Sequence, residues 1–169
     1  MDATTTSEAP AQATTGLNWT PQLQTGDGRM DETHAEFVEQ LNAMLSGTAP
    51  GTLGIRIIEQ GPDFLRATMP VDERTRQPFG LLHGGASVLL AETLASFGGY
   101  LCLDPASGQQ TAGLEINANH LRAVTEGVVT GTARPIHLGR TTQVWEIRNE
   151  DERGRLVCIS RMTGAVVGR

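Results

Sequence analysis

Between Phe79 and Leu103 the sequence reads FGLLHGGASVLLAETLASFGGYLCL, and its ionisable groups are His83, Glu92 and the weak acids Tyr100 and Cys102. An unpaired ionised carboxylate in so apolar a run is costly, so Glu92 is either compensated by a partner or kept for chemistry. The glycines of His83-Gly84-Gly85 let a ligand approach the backbone closely. If a helix begins there, its free N–H groups form an electropositive end able to hold an oxygen that becomes negative. Ser96, four residues beyond Glu92, shares its helical face and can hold the carboxylate or a water, or simply permit close helix packing. Gln77, in the preceding loop, can donate to a carbonyl. A carboxylate and an oxyanion donor that act on one carbonyl carbon must both lie within a few ångströms of it. Gly84 and Glu92 are eight residues apart, roughly 12 Å along one helix. Two such helices packed antiparallel bring Glu92 of one chain to Gly84 of another, which predicts a two-fold homodimer with two interface sites.

The elements that position these residues can be read from periodicity. Leu89, Leu90, Leu94, Phe97 and Leu101 spread around the helical wheel, so the helix is expected to be buried on nearly every side. Its length would span a membrane, but the central Glu92 and several small residues argue against that. Asp31 to Ser46 reads as an amphipathic helix, with Asp31 as N-cap and Phe37, Val38, Leu41, Met44 and Leu45 on one face. Leu53, Ile55 and Ile57 alternate as a strand. A turn at Gln60–Asp63 leads to a second strand, with Leu65, Ala67, Met69 and Val71 on one face. Asp72 to Pro78 is a polar loop, and breaker residues at Asp104–Gly108 end the central helix. Strands follow at about 111–122, 127–134, 141–148 and 156–167. Leu114, Ile116 and Ala118 share one face of the first, with His120 and Arg122 beyond them, and Pro135 closes the second. The expected architecture is α+β: six largely antiparallel strands around one long helix.

The 169 residues suit one domain. Residues 1–30 are rich in Thr, Ala, Ser, Gln, Gly and Pro and are expected to form a flexible extension, with Trp19 the residue able to dock it. The folded domain is expected over 31–169. A net charge of −6 argues against general nucleic-acid binding. Cys102 and Cys158 read as reduced core thiols, and His34, His83, His120 and His137 form no metal-ligand spacing. No cofactor, metal or membrane partner is expected. The N-terminus lacks a secretory signal, so the cytoplasm is the default location.

The segment Gln77-Pro78-Phe79-Gly80-Leu81-Leu82-His83-Gly84-Gly85-Ala86-Ser87, with Glu92 and Ser96, resembles the hotdog-fold acyl-CoA thioesterases. The resemblance is to the branch that includes Arthrobacter-type 4-hydroxybenzoyl-CoA thioesterases and the bacterial 1,4-dihydroxy-2-naphthoyl-CoA thioesterases of menaquinone synthesis. It covers about Thr52 to Val167, and Gly113–His120 and His137-Leu138-Gly139 belong to it. It implies a hotdog fold, hydrolysis of an aromatic acyl-CoA, and Glu92 as nucleophile or general base. It also implies that Gln77 and the Gly84 N–H hold the thioester carbonyl, that His83 assists, and that Ser96 places water. The implied substrate and CoA surface comprises Gly113, His120, Leu121, Arg122, Ala123, His137, Leu138, Gly139, Arg140, Thr141 and Thr142. Arg140 stands one place earlier than the family's arginine, and the loop 104–109 is longer. Coenzyme A thioester is then substrate rather than cofactor, and a homodimer, further paired as a dimer of dimers, is the expected assembly. A hotdog hydratase or dehydratase and a non-catalytic acyl-CoA-binding module are the alternatives. The hydratase needs an acid/base set at the acyl β-carbon, for which only His83 is on offer.

Overall fold

The computed structural model describes residues 32–168. The expectations for residues 1–30, including Trp19, and the Asp31 N-cap lie outside the described residues. The order is α1 (Glu32–Leu45), α2 (Ala49–Thr52), β1 (Arg56–Gln60), β2 (Leu65–Pro70), α3 (Gly84–Leu101), a 3₁₀ turn (Pro105–Ser107), β3 (Gln110–His120), β4 (Val128–Leu138), β5 (Thr142–Asp151) and β6 (Leu156–Val167). The strands form one sheet in the order β1-β2-β4-β5-β6-β3. Every neighbouring pair is antiparallel. With α3 packed across the sheet, this is the hotdog arrangement that the resemblance implies.

Leu90, Ala91, Leu94 and Ala95 of α3 are fully buried against Val129, Ala133, Trp145, Ile147 and Met162 of the sheet. Alternation along β2 buries Leu65, Ala67 and Met69 on the same side. Glycine lets helix and sheet meet closely: a Cβ on Gly98 would lie 2.8 Å from the buried Trp145 ring. The helix is not wrapped on all sides, however. Val88, Leu89, Glu92, Ser96 and Phe97 are only half-buried, and Tyr100 is exposed. The apolar wheel over-reports burial because, within one chain, the sheet covers only one side of the cylinder.

The two sheet edges differ. Edge β1 is closed by α1, where Asn42 Nδ2 donates to Ile57 O (2.9 Å) and Ile57 N–H donates to Asn42 Oδ1 (2.8 Å). Edge β3 pairs only with β6 and carries Leu114, 65 % exposed. An open apolar edge is a ready template for another chain.

Local differences from expectation have local causes. The first strand starts at Arg56 rather than Leu53, because Thr48 caps a short helix with proline at its start and Leu53 becomes that helix's C-cap. Met44 is exposed instead of joining Val38, Leu41 and Leu45 in the core. Pro135 does not close its strand: β4 runs to Leu138, with a register shift between Pro135 and His137 that accommodates the ring. A second shift, between Gly113 and Glu115, interrupts β3, and Leu114 is exposed instead of sharing the half-buried face of Ile116 and Ala118.

Candidate active site

The loop before α3 sets up its N-terminus. Gln77 N–H donates to Leu81 O (2.8 Å), Gly80 N–H to Gln77 O (3.0 Å) and His83 N–H to Thr75 O (2.8 Å). Gly80 closes this turn at φ +82°, a conformation that favours glycine. The Gln77 side chain accepts from Phe79 N–H through Oε1, which leaves its amide nitrogen to donate elsewhere.

His83 is the N-cap of α3. Its Nδ1 accepts from Gly85 N–H (2.8 Å), so the neutral ring carries its proton on Nε2. His83 O accepts from Ala86 N–H (3.0 Å) and Ser87 N–H (3.2 Å). The first-turn donor left without a partner among the described residues is Gly84 N–H. That is the position expected of an oxyanion donor: a free N–H at the positive end of an 18-residue helix. The His120 ring lies against the Gly84 α-carbon, since a Cβ there would sit 2.8 Å from Nε2.

These groups share one cavity of about 390 Å³, lined by Gln77, Leu81, Leu82, Gly84, Ser87, His120, Leu121, Arg122, Ala123 and Val157. Glu92 does not belong to it. It lines a second cavity of about 410 Å³ with Gly85, Val88, Leu89, Gly113, Leu114, Glu115 and Ile116. The Glu92 carboxylate has no hydrogen-bond or ion-pair partner among the described residues, and burial pushes its pKa above the ordinary value of 4.5. It rests on the open backbone of Gly113.

The expected site residues thus fall into four places. Gln77, Gly84, His120, Leu121, Arg122 and Ala123 line one cavity, and His83, which lines neither cavity, caps the helix. Glu92 and Gly113 share the other. Ser96 is half-buried one turn past Glu92 and lines neither. His137 and Leu138 end β4, Thr142 begins β5, and Gly139, Arg140 and Thr141 form the β4–β5 connection between them, closed by Gly139 N–H donating to Thr142 O (2.9 Å). This connection sits toward the other end of α3, where Gln143 Nε2 donates to Gly99 O (3.3 Å), and Arg140 is exposed. Ser87 lines the first cavity and was not among the expected site residues. Its offset of three from Gly84, which places both on one helical face, is the signal that finds it. Among the described residues no three His, Cys, Asp or Glu side chains converge as a metal site, and no helix is long and apolar enough to cross a membrane.

Residues 79–158 match the family model described as the thioesterase superfamily. The 1,4-dihydroxy-2-naphthoyl-CoA hydrolase of Escherichia coli is 56% identical over 130 residues, covering 77% of this chain and 94% of that protein. The proofreading thioesterase EntH of Cronobacter turicensis is 55% identical over 131 residues, covering 78% of this chain and 94% of its own length. The crystal structure of a Haemophilus influenzae thioesterase, 53% identical, superposes with a TM-score of 0.75 over 78% of this chain and 90% of that one. With the hotdog sheet, the capped glycine-opened helix and these relatives together, the chain belongs to the thioesterase superfamily and is a thioester hydrolase.

Proposed function

We propose that this protein hydrolyses acyl-CoA thioesters with aromatic acyl groups, of the hydroxybenzoyl or dihydroxynaphthoyl kind, at sites shared between two copies of the chain. The observation that carries this reading is the separation of Glu92 from Gln77 and Gly84 into two cavities of one chain. A carboxylate cannot act on a carbonyl held about 12 Å away along its own helix. A second copy across the open β3 edge supplies the missing half. The similarity to a 1,4-dihydroxy-2-naphthoyl-CoA hydrolase supports the acyl class.

In this reading the thioester carbonyl enters the first cavity, where Gly84 N–H and the Gln77 amide donate to its oxygen and His83 assists from the helix cap. Glu92 of the other copy faces the carbonyl carbon. It either deprotonates a water placed with the help of Ser96 or attacks directly to form an anhydride that water then opens. Both routes pass through an oxyanion held by donors already in place, and both end with a carboxylic acid and CoA thiolate, which takes up a proton. Arg122, which lines the first cavity, is suited to the phosphates of CoA, and the 137–142 segment to its pantetheine. The folded unit responsible spans 31–169, preceded by the 1–30 extension, and the dimers pair again into tetramers.

The test is complementation. Glu92→Ala and Gln77→Ala are each expected to release thiol orders of magnitude more slowly than the parent. Unfolded and refolded together, half the dimers are mixed and carry one intact site, so about a quarter of parental activity returns. Recovery of nothing beyond the two variants alone would refute the shared site, and near-normal turnover by Glu92→Ala would refute the role of the carboxylate.

A further inference from the structure

We propose that the Ser87 hydroxyl is a further donor to the thioester carbonyl oxygen, beside Gly84 N–H and the Gln77 amide, and that Asn149 is the residue that positions it. The proposal rests on reading the first cavity as the half-site that holds the carbonyl.

Ser87 is 1 % exposed, yet it lines that cavity. Its hydroxyl makes no hydrogen bond among the described residues, and it is not one of the sealed polar atoms left without a partner, as Thr111 Oγ1 is. The little surface Ser87 keeps therefore includes the hydroxyl, and that surface opens on the cavity. Thr93 shows what a hydroxyl on this helix does when its role is structural: Oγ1 donates to Leu89 O, four residues back, at 2.7 Å. The equivalent acceptor for Ser87 is His83 O, which takes Ser87 N–H at 3.2 Å but not the hydroxyl. A serine that forgoes this local bond in a nearly closed place has its donor free for a ligand. Gly84 and Ser87 line the same cavity three residues apart, and helical side chains lean toward the N-terminus, the end from which the free N–H projects.

The backbone of Ser87 is held from the sheet. Asn149 on β5 is fully buried and donates from Nδ2 to Ser87 O at 3.0 Å, while its own Oδ1 is sealed without a partner. An orphaned buried acceptor is a standing cost. The sequence tolerates it at the residue that fixes the first turn of α3 against the sheet. A carbonyl oxygen becoming an oxyanion gains a third acceptor direction, and a third fixed donor is used most fully there.

Two unreactive CoA thioethers test this: phenacyl-CoA, which keeps a ketone oxygen, and benzyl-CoA, which has none. The parent is expected to bind phenacyl-CoA more tightly. Ser87→Ala should lose about tenfold on phenacyl-CoA, keep benzyl-CoA affinity, and lower kcat/KM on benzoyl-CoA by about ten- to a hundredfold. Ser87→Thr, which keeps the hydroxyl, should restore most of the difference. Asn149→Leu should reproduce the loss on phenacyl-CoA in weaker form. If Ser87→Ala keeps the full preference for the ketone, or loses both ligands equally, the role assigned to Ser87 is wrong while the carbonyl site stands. If the parent itself shows no preference, the carbonyl site falls and Ser87 with it. Alanine fits wherever serine does, so Ser87→Ala decides the matter even should threonine prove too large.

Discussion

The carboxylate of Glu92 rests on the bare α-carbon of Gly113: a Cβ at that position would lie 2.5 Å from Glu92 Oε1. The contact joins the middle of α3 to the open edge strand β3 at a register shift. It explains why a glycine stands there without appeal to backbone conformation. Glu92 is aimed by what the neighbouring strand leaves out.

Gly113→Ala therefore displaces a flexible carboxylate end rather than backbone. Folding should be nearly unaffected, with Tm within a few degrees of the parent. Thiol release should slow by at least about tenfold, because an ångström of misplacement is costly at the group proposed to react. Stopped assays with a chromogenic thiol trap, alongside calorimetry, check both halves. Full activity would mean that Glu92 functions in another orientation.

Gly98→Ala makes the opposite pattern. Its new methyl meets Trp145 Cη2 at 2.8 Å, and that ring is fully buried. Helix propensity returns up to about 1 kcal/mol, but overpacking a rigid core costs about 1–3 kcal/mol. A lower Tm, with catalysis per folded molecule preserved, is the expected result, and a raised Tm would show that Trp145 can move.

Glu92 gives a pH signature of definite sign. Burial raises its folded pKa above the ordinary 4.5, so the folded state favours the protonated form. The stability this group lends is full below the unfolded value and is lost as pH rises through the folded one. Glu92→Gln should accordingly be more stable than the parent at pH 7, the difference shrinking toward pH 4. The acid limb of the parental kcat/KM profile should lie above the usual carboxylate range. Denaturant melts across pH and a pH–rate series provide the two measurements.

Arg122 and Arg140 should separate in kinetics. Both arginines are exposed, but Arg122 lines the cavity with Gln77 and Gly84, whereas Arg140 lies on the β4–β5 connection. Arg122→Ala should raise KM for an acyl-CoA about tenfold with little change in kcat, and should flatten the salt dependence of KM. Arg140→Ala should do neither, as its displaced place in the motif implies. Equal effects from both would assign the phosphates to the two residues jointly.

The long helix, the isolated acid within it, the glycine pair at its start and the antiparallel alternation of the strands are all legible in the sequence. Each depends on neighbours within a few turns or pleats, where spacing alone fixes which residues share a face. Even the proposal of a second chain starts from the length of eight helical residues. The tertiary structure decided what depends on residues distant in sequence. It set which side of α3 the sheet leaves open, the closure of one edge by Asn42 and the exposure of the other, and the continuation of β4 past Pro135. It also brought Gly113 beneath Glu92 and Asn149 behind Ser87. Such contacts are set by strand register and by the angle at which helix crosses sheet, and no local periodicity records either.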